Sequence, residues 1–273
     1  MINSHLVERA ANLIHDADAL IIAVGAGMSV DSGLPDFRGS NGLWTTLLPN
    51  GMRERDIQSL TQGDCFARDP VAAWRFYGRA LQVCSQTVPH EGYGILLRWA
   101  ERATHGAFVY TSNVDGHFHA AGFDEERVVE CHGSINFMQC TKPCCPSIWA
   151  AGSMADALGD INRLTSENLP RCSYCGGVAR PNFLLFSDPA WLASRTSKQQ
   201  MNFQQWQKEA RKAVVIEIGA GLALPSIRMF SESLGIPLIR INPEDAGIGD
   251  LEGVAFRGSA LAMLRCIDRE MVN

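Results

Sequence analysis

Apolar residues Leu6, Ala10, Leu13 and Ile14 fall mostly three and four apart, a spacing that predicts an amphipathic helix near the N-terminus. The next run, Ala19-Leu20-Ile21-Ile22-Ala23-Val24, is continuously apolar and rich in β-branched residues, and it meets Gly25-Ala26-Gly27. That pattern predicts a buried parallel strand running into a glycine turn. Similar runs recur at residues 106–111, 128–131, 213–218 and 236–241, most of them separated by stretches long enough for a helix. The alternation predicts an α/β chain built on a Rossmann-type doubly wound parallel sheet. Two intervals break it. The stretch 34–99 is too long for one crossover and carries a helical pattern over 70–81, and 134–182 holds a cluster of cysteines. The expected organisation is therefore a sheet domain from residues 1–33, 100–133 and 183–273. A loop and helical module (34–99) and a metal-binding module (134–182) form as insertions into it.

Ligands of such sheets bind at the carboxyl ends of the strands, and several polar or glycine-rich segments fall there. Gly25, Ala26 and Gly27 let the backbone turn tightly and approach a pyrophosphate, although a plain strand-to-helix turn has the same spacing. Asp36, Phe37 and Arg38 form a loop suited to folding over a nucleotide, the ring shielding a reactive cation and the guanidinium reaching charged oxygens. A surface turn with one buried aromatic residue is the structural alternative. Asn113 and Asp115 follow another strand, where an amide and a carboxylate can clamp a carboxamide or simply cap the next helix. His132 ends the strand 128–131 and has the pKa range of a general base, though a lone histidine is more often structural. Gly219, Ala220 and Gly221 end one late strand and Asn242 and Glu244 another, placing a second nucleotide half there, with ribose hydroxyls near Asn242 or Glu244. Ser259 precedes the final helix, near an adenine.

Among nine cysteines, Cys172 and Cys175 form a knuckle with the two-residue spacing of a metal site. Cys140 with Cys144 or Cys145 supplies the second pair, Cys144 being preferred. Four thiolates fill a tetrahedral Zn2+ and leave no position for a catalytic water, so one structural zinc per chain is expected. The remaining cysteines read as reduced thiols of a cytoplasmic protein, because the N-terminal helix carries Glu8, Arg9 and Asp16 and does not read as a signal peptide. A net charge of −5 argues against a general footprint for nucleic acid or an anionic membrane, and no apolar run approaches the roughly 20 residues of a membrane span. Nothing in the pattern sets an oligomeric state.

In order along nearly the whole chain, residues 25–38, 111–115, His132-Gly133-Ser134, the four cysteines, Arg180-Pro181, 219–221, 242–244 and 258–264 resemble the sirtuin family of NAD-dependent protein deacylases, as a divergent bacterial-type member. The resemblance implies NAD lined by Ala26, Asp36, Phe37 and Arg38, nicotinamide held by Asn113 and Asp115, and His132 as general base. In sirtuins the acyl oxygen of a modified lysine attacks the ribose as nicotinamide leaves, giving an alkylimidate. The histidine then promotes attack by a ribose hydroxyl, which yields free lysine, nicotinamide and O-acyl-ADP-ribose. The implied activity is thus deacylation (deacetylation) of an acyl-lysine protein or peptide. An NAD hydrolase or mono-ADP-ribosyltransferase on the same scaffold, and an NAD-binding sensor without turnover, are the alternatives.

Three departures from the family pattern stand out. Ser112 stands where the family has a glutamine that reaches the ribose, an interaction this shorter side chain makes through water or not at all. Phe186-Ser187-Asp188 replaces a Phe-Gly-Glu turn that pairs with substrate peptide, and Gly219-Ala220-Gly221 replaces a turn bearing hydroxyls. Members that favour acidic acyl groups carry a tyrosine with an arginine three residues on. Here Tyr77 is followed at that spacing by Ala80, and Arg79 is displaced by about 100° on a helix, so a shorter, uncharged acyl group is expected.

Overall fold

The computed structural model describes residues 3–34, 48, 53 and 56–272. The N-terminal pattern forms helix α1 (Ser4–His15), which buries Val7, Ala10, Ala11 and Ile14 and is capped by the Asn3 side chain. Strand β1 (Ala19–Val24) follows, buried at every position. Buried on both faces, it can only be central, and it pairs in parallel with β2 (Ala107–Thr111) on one side and β7 (Ala213–Ile218) on the other. Strands β3 (Val128–Glu130), β8 (Leu238–Ile241) and β9 (Gly253–Phe256) complete a six-stranded sheet of order β3-β2-β1-β7-β8-β9, parallel throughout. This is the strand order of a Rossmann-type fold, and β1 lies at its topological switch point.

Two differences from the sequence pattern have local causes. Strand β8 starts at Leu238 rather than at 236, because Pro237 has no N–H to give the ladder, although its carbonyl accepts from Val215. Strand β9 was not expected, since four residues with one glycine carry too short a pattern.

Helices cover both faces. Between β1 and β2 run the short helix α2 (Gly27–Val30), then α3 (Pro70–Gln86) and α4 (Glu91–Arg102). Helix α3 begins where Asp69 accepts from the Ala72 N–H at 3.0 Å and Pro70 takes the first turn, and it continues beyond the 70–81 pattern. Helix α4 packs on the sheet with α1 and the C-terminal helix α7 (Ala260–Val272), contributing Tyr93, Leu96 and Trp99 to that core. The opposite face is covered by α5 (Ser194–Gln207) and α6 (Ser226–Ser233), with Phe203, Trp206 and Ile227 against Ile21, Phe108 and Val215.

The cysteine-rich stretch folds as a second, three-stranded antiparallel sheet of β5 (Ile148–Ala150), β4 (Gly133–Cys140) and β6 (Ala179–Phe183). Its core is separate, formed with Trp74, Phe76, Tyr77 and Leu81 of α3. Because β4 starts one residue after His132, the small sheet leaves the large one at the edge where the glycine turns sit. No helix among the described residues is long and apolar enough to cross a membrane.

Candidate active site

The turns after β1, β2, β3, β7 and β8 converge on one cavity of about 520 Å³, whose far wall is the small sheet and α3. Its lining brings together Gly25, Ala26, Gly27, Ser112, Asn113, Asp115, His132, Gly219, Ala220, Gly221, Asn242, Glu244 and Ser259. Asp36, Phe37 and Arg38 lie outside the described residues.

Two glycine turns meet at the cavity floor. A Cβ on Gly25 would lie 2.6 Å from the Gly219 carbonyl oxygen, and Gly219, at φ +63°, would place its own 2.5 Å from the Gly27 backbone. Only glycine allows these two main chains to touch, so both positions require it. Ala26, at the start of α2, has no side-chain cap, and its N–H makes no hydrogen bond among the described residues. The floor therefore offers bare backbone and a free donor to an anion.

Beside it stands a fully ordered polar chain. Ser29 donates to Asp115 Oδ2 at 2.6 Å and lies 3.1 Å from the Tyr93 hydroxyl. A serine has one hydroxyl proton, so Tyr93 must be the donor in the second contact. Asn113 Nδ2 donates to Ser29 Oγ at 3.2 Å and to the Gly25 carbonyl at 3.1 Å, while its main-chain N–H is held by Thr111. Asp115 Oδ1 accepts the His117 N–H at 3.0 Å. Asn113 Oδ1 is left buried with no partner among the described residues, an acceptor a bound carboxamide can satisfy. Ser29 and Tyr93 were not singled out from sequence. Ser29 falls inside the glycine motif, and the helical spacing of Tyr93, Leu96 and Trp99 was the signal for the missed helix.

His132 opens onto the cavity at the end of β3. Burial pushes its imidazole below the ordinary histidine pKa, against a hydrogen bond with the Ser112 backbone that raises it. The ring is consequently neutral near pH 7 and able to take a proton. Asn242, in contrast, is committed to the protein: Nδ2 donates to the Ala220 carbonyl, and Oδ1 accepts from the N–H groups of Glu244 and Asp245, each at 2.9 Å. It shapes the turn, and Glu244 is the exposed side chain of the pair.

The small-sheet wall is apolar, with Tyr77, Ala80, Cys84, Ile135 and Phe183. Tyr77 donates to the Leu60 carbonyl at 2.9 Å, and Arg79 turns away to the Leu48 carbonyl. No lysine or arginine lines the cavity among the described residues. The Phe186-Ser187-Asp188 turn forms the rim: Ser187 takes φ +51°, the conformation a glycine would adopt, and Asp188 pairs with fully buried Arg180, the Nη1–Oδ1 contact being 3.0 Å.

At the far end of β4 and β6, the sulfurs of Cys140, Cys144, Cys172 and Cys175 lie within 4.8 Å of one another, with 3.7 Å between Cys140 and Cys175 and 3.6 Å between Cys144 and Cys172. Tetrahedral zinc with bonds of about 2.3 Å sets its sulfurs roughly 3.8 Å apart, so the tetrad fits Zn2+. Cys144, and not Cys145, belongs to it.

A family model described as the Sir2 family matches residues 25–224, and the chain belongs to that family. The NAD-dependent protein deacylase 2 of Pyrobaculum aerophilum is 30% identical over 258 residues, covering 92% of this chain and 90% of that protein. The NAD-dependent protein deacetylase of Sulfurisphaera tokodaii is 26% identical, covering 95% and 94%. A solved structure described as a Sir2 homologue mutant in complex with ADP-ribose superposes with a TM-score of 0.71 at 23% identity, covering 99% and 97%, a likeness of fold.

Proposed function

We propose that this protein is an NAD-dependent protein-lysine deacylase that cleaves the nicotinamide–ribose bond and passes the acyl group to ADP-ribose. Relatives named as NAD-dependent protein deacylases align over nine-tenths of the chain or more, and the family model covers the glycine turn, Asn113, Asp115, His132 and all four cysteines. The observation that carries the reading is the single cavity in which a bare glycine floor, the Asn113–Asp115 clamp and a neutral His132 face an apolar wall.

Bound NAD supplies the ribosyl group and the cationic leaving group. The remaining work falls to side chains. Asn113 and Asp115 orient the carboxamide, with Ser29 and Tyr93 keeping Asp115 an acceptor. The apolar wall excludes water, so the electrophilic ribose meets the acyl oxygen rather than solvent. His132, held at one ring nitrogen by the Ser112 backbone, accepts the proton of a ribose hydroxyl at the other. Glu244 and Ser259 stand on the nucleotide side. Among the described residues the wall carries no lysine or arginine, which favours an uncharged acyl group, since a succinyl or malonyl carboxylate would be desolvated against those residues without a partner. The acyl donor is an acyl-lysine protein or peptide, received at the Phe186–Asp188 rim.

The test is nicotinamide release from NAD by the zinc-loaded protein with and without acetyl-, butyryl- and succinyl-lysine peptides. Release that needs an acetyl or butyryl peptide supports the reading. Equal release without peptide makes the protein an NAD hydrolase or ADP-ribosyltransferase.

A further inference from the structure

We infer that Arg228 is a positioning residue that locks the turns after β7 and β8 into one preformed wall for the nucleotide half of the cavity. Arg228 lies in α6, is 6% exposed and does not itself line the cavity. Its Nε donates to the Ala220 carbonyl at 3.1 Å, and Nη2 donates to the Asp245 carbonyl. Asn242 Nδ2 donates to the same Ala220 oxygen, and Asn242 Oδ1 accepts the Asp245 N–H. The bonds close a ring: Arg228, Ala220, Asn242, Asp245 and back to Arg228. Ala220, Asn242 and Asp245 all face the cavity.

Two features make this more than packing. The guanidinium is buried with hydrogen bonds only to carbonyls: of the carboxylates around it, Arg240 holds Glu217 at 2.6 and 2.9 Å and Glu232 at 2.7 Å, and Asp245 meets Arg228 through its main-chain carbonyl. A buried cation without a bonded counter-ion is a costly way to pack a helix on a sheet, where an aliphatic residue would serve. Secondly, the turn it holds is Gly219-Ala220-Gly221, which has no side-chain hydroxyl. Whatever this turn offers a ligand comes from main-chain shape; Gly219 is fixed where its carbonyl accepts the Gly27 N–H at 3.1 Å and its N–H donates to the Ile241 carbonyl at 2.9 Å, whereas Ala220 and Gly221 beyond it depend on contacts from outside the turn.

The inference rests on the cavity binding NAD, and its experiment separates the two. Binding of ADP-ribose by calorimetry, and KM and kcat for NAD, are measured for the wild-type zinc-loaded chain and for Arg228→Met, Arg228→Lys and Asn242→Ser, with thermal midpoints as a check of folding. A wild type that does not bind ADP-ribose removes the proposed function itself. With wild-type binding in place, Arg228→Met is expected to weaken ADP-ribose about tenfold and to raise KM for NAD by a similar factor. In that variant kcat changes less than about twofold and inhibition by free nicotinamide is unaltered. Lysine keeps the charge on a single nitrogen and cannot bridge both turns, so Arg228→Lys behaves like Arg228→Met. Asn242→Ser cuts the ring from the other side and gives the same pattern even if Arg228→Met does not fold, and the Arg228→Lys/Asn242→Ser double variant loses little more than either single one. Folded variants that bind ADP-ribose as the wild type does, full rescue by lysine, or a fall in kcat at unchanged KM would each overturn the positioning role.

Discussion

His132 shows how one side chain's surroundings decide its chemistry. Burial lowers its pKa below the usual 6.5, and a base works only when neutral, so the neutral form persists to lower pH than in a free imidazole. The acidic limb of kcat/KM is accordingly expected to have its midpoint below 6.5 and to vanish with the activity in His132→Ala; a midpoint above 7 would mean that another group titrates. Gly219 makes a different kind of claim. Its positive φ and the 2.5 Å approach of a Cβ to the Gly27 backbone mean that Gly219→Ala strains the floor. A loss of about 2–3 kcal/mol in urea unfolding, together with loss of ADP-ribose binding, is the expected result. A variant with wild-type stability would show that the two turns are not in contact.

At the scale of elements, strands buried on both faces were legible because their composition leaves no alternative: 19–24, 106–111, 128–131 and 213–218 all became parallel strands within a residue of their patterns. Helix α4 was hidden by a glycine-containing sequence whose cap is a histidine, His90 accepting the Gly92 N–H. Residues such as Ser29 were hidden too, because their partner lies 86 positions away, in Asp115. Sequence likewise left Cys144 and Cys145 open, since neighbouring thiols differ only in the direction the turn points them. The structure groups Cys144, and not Cys145, with the sulfurs of Cys140, Cys172 and Cys175. Cys144→Ala should drop zinc content from about one per chain toward zero, whereas Cys145→Ala should keep it, as read by metal analysis of the purified proteins. Chelation should melt the three-stranded sheet while leaving part of the parallel sheet's circular dichroism. A zinc-free protein that retained both sheets would contradict a structural metal.

For the whole molecule, the candidate active site is the seam between two cores, and its geometry depends on what holds them together. Arg180, buried in β6, reaches the Gly63 carbonyl of the helical module, Asp188 of the rim and the Phe183 carbonyl at once. Removing its partner in Asp188→Ala leaves a buried charge unpaired and should lower unfolding stability by about 3–5 kcal/mol in a denaturant melt. The chemistry of this seam is tested most directly by following NAD and an acetyl-lysine peptide in one reaction and identifying every product by mass spectrometry. The account predicts nicotinamide, free-lysine peptide and O-acetyl-ADP-ribose in equal amounts, all absent with His132→Ala. Nicotinamide with unmodified ADP-ribose and an untouched peptide would contradict it.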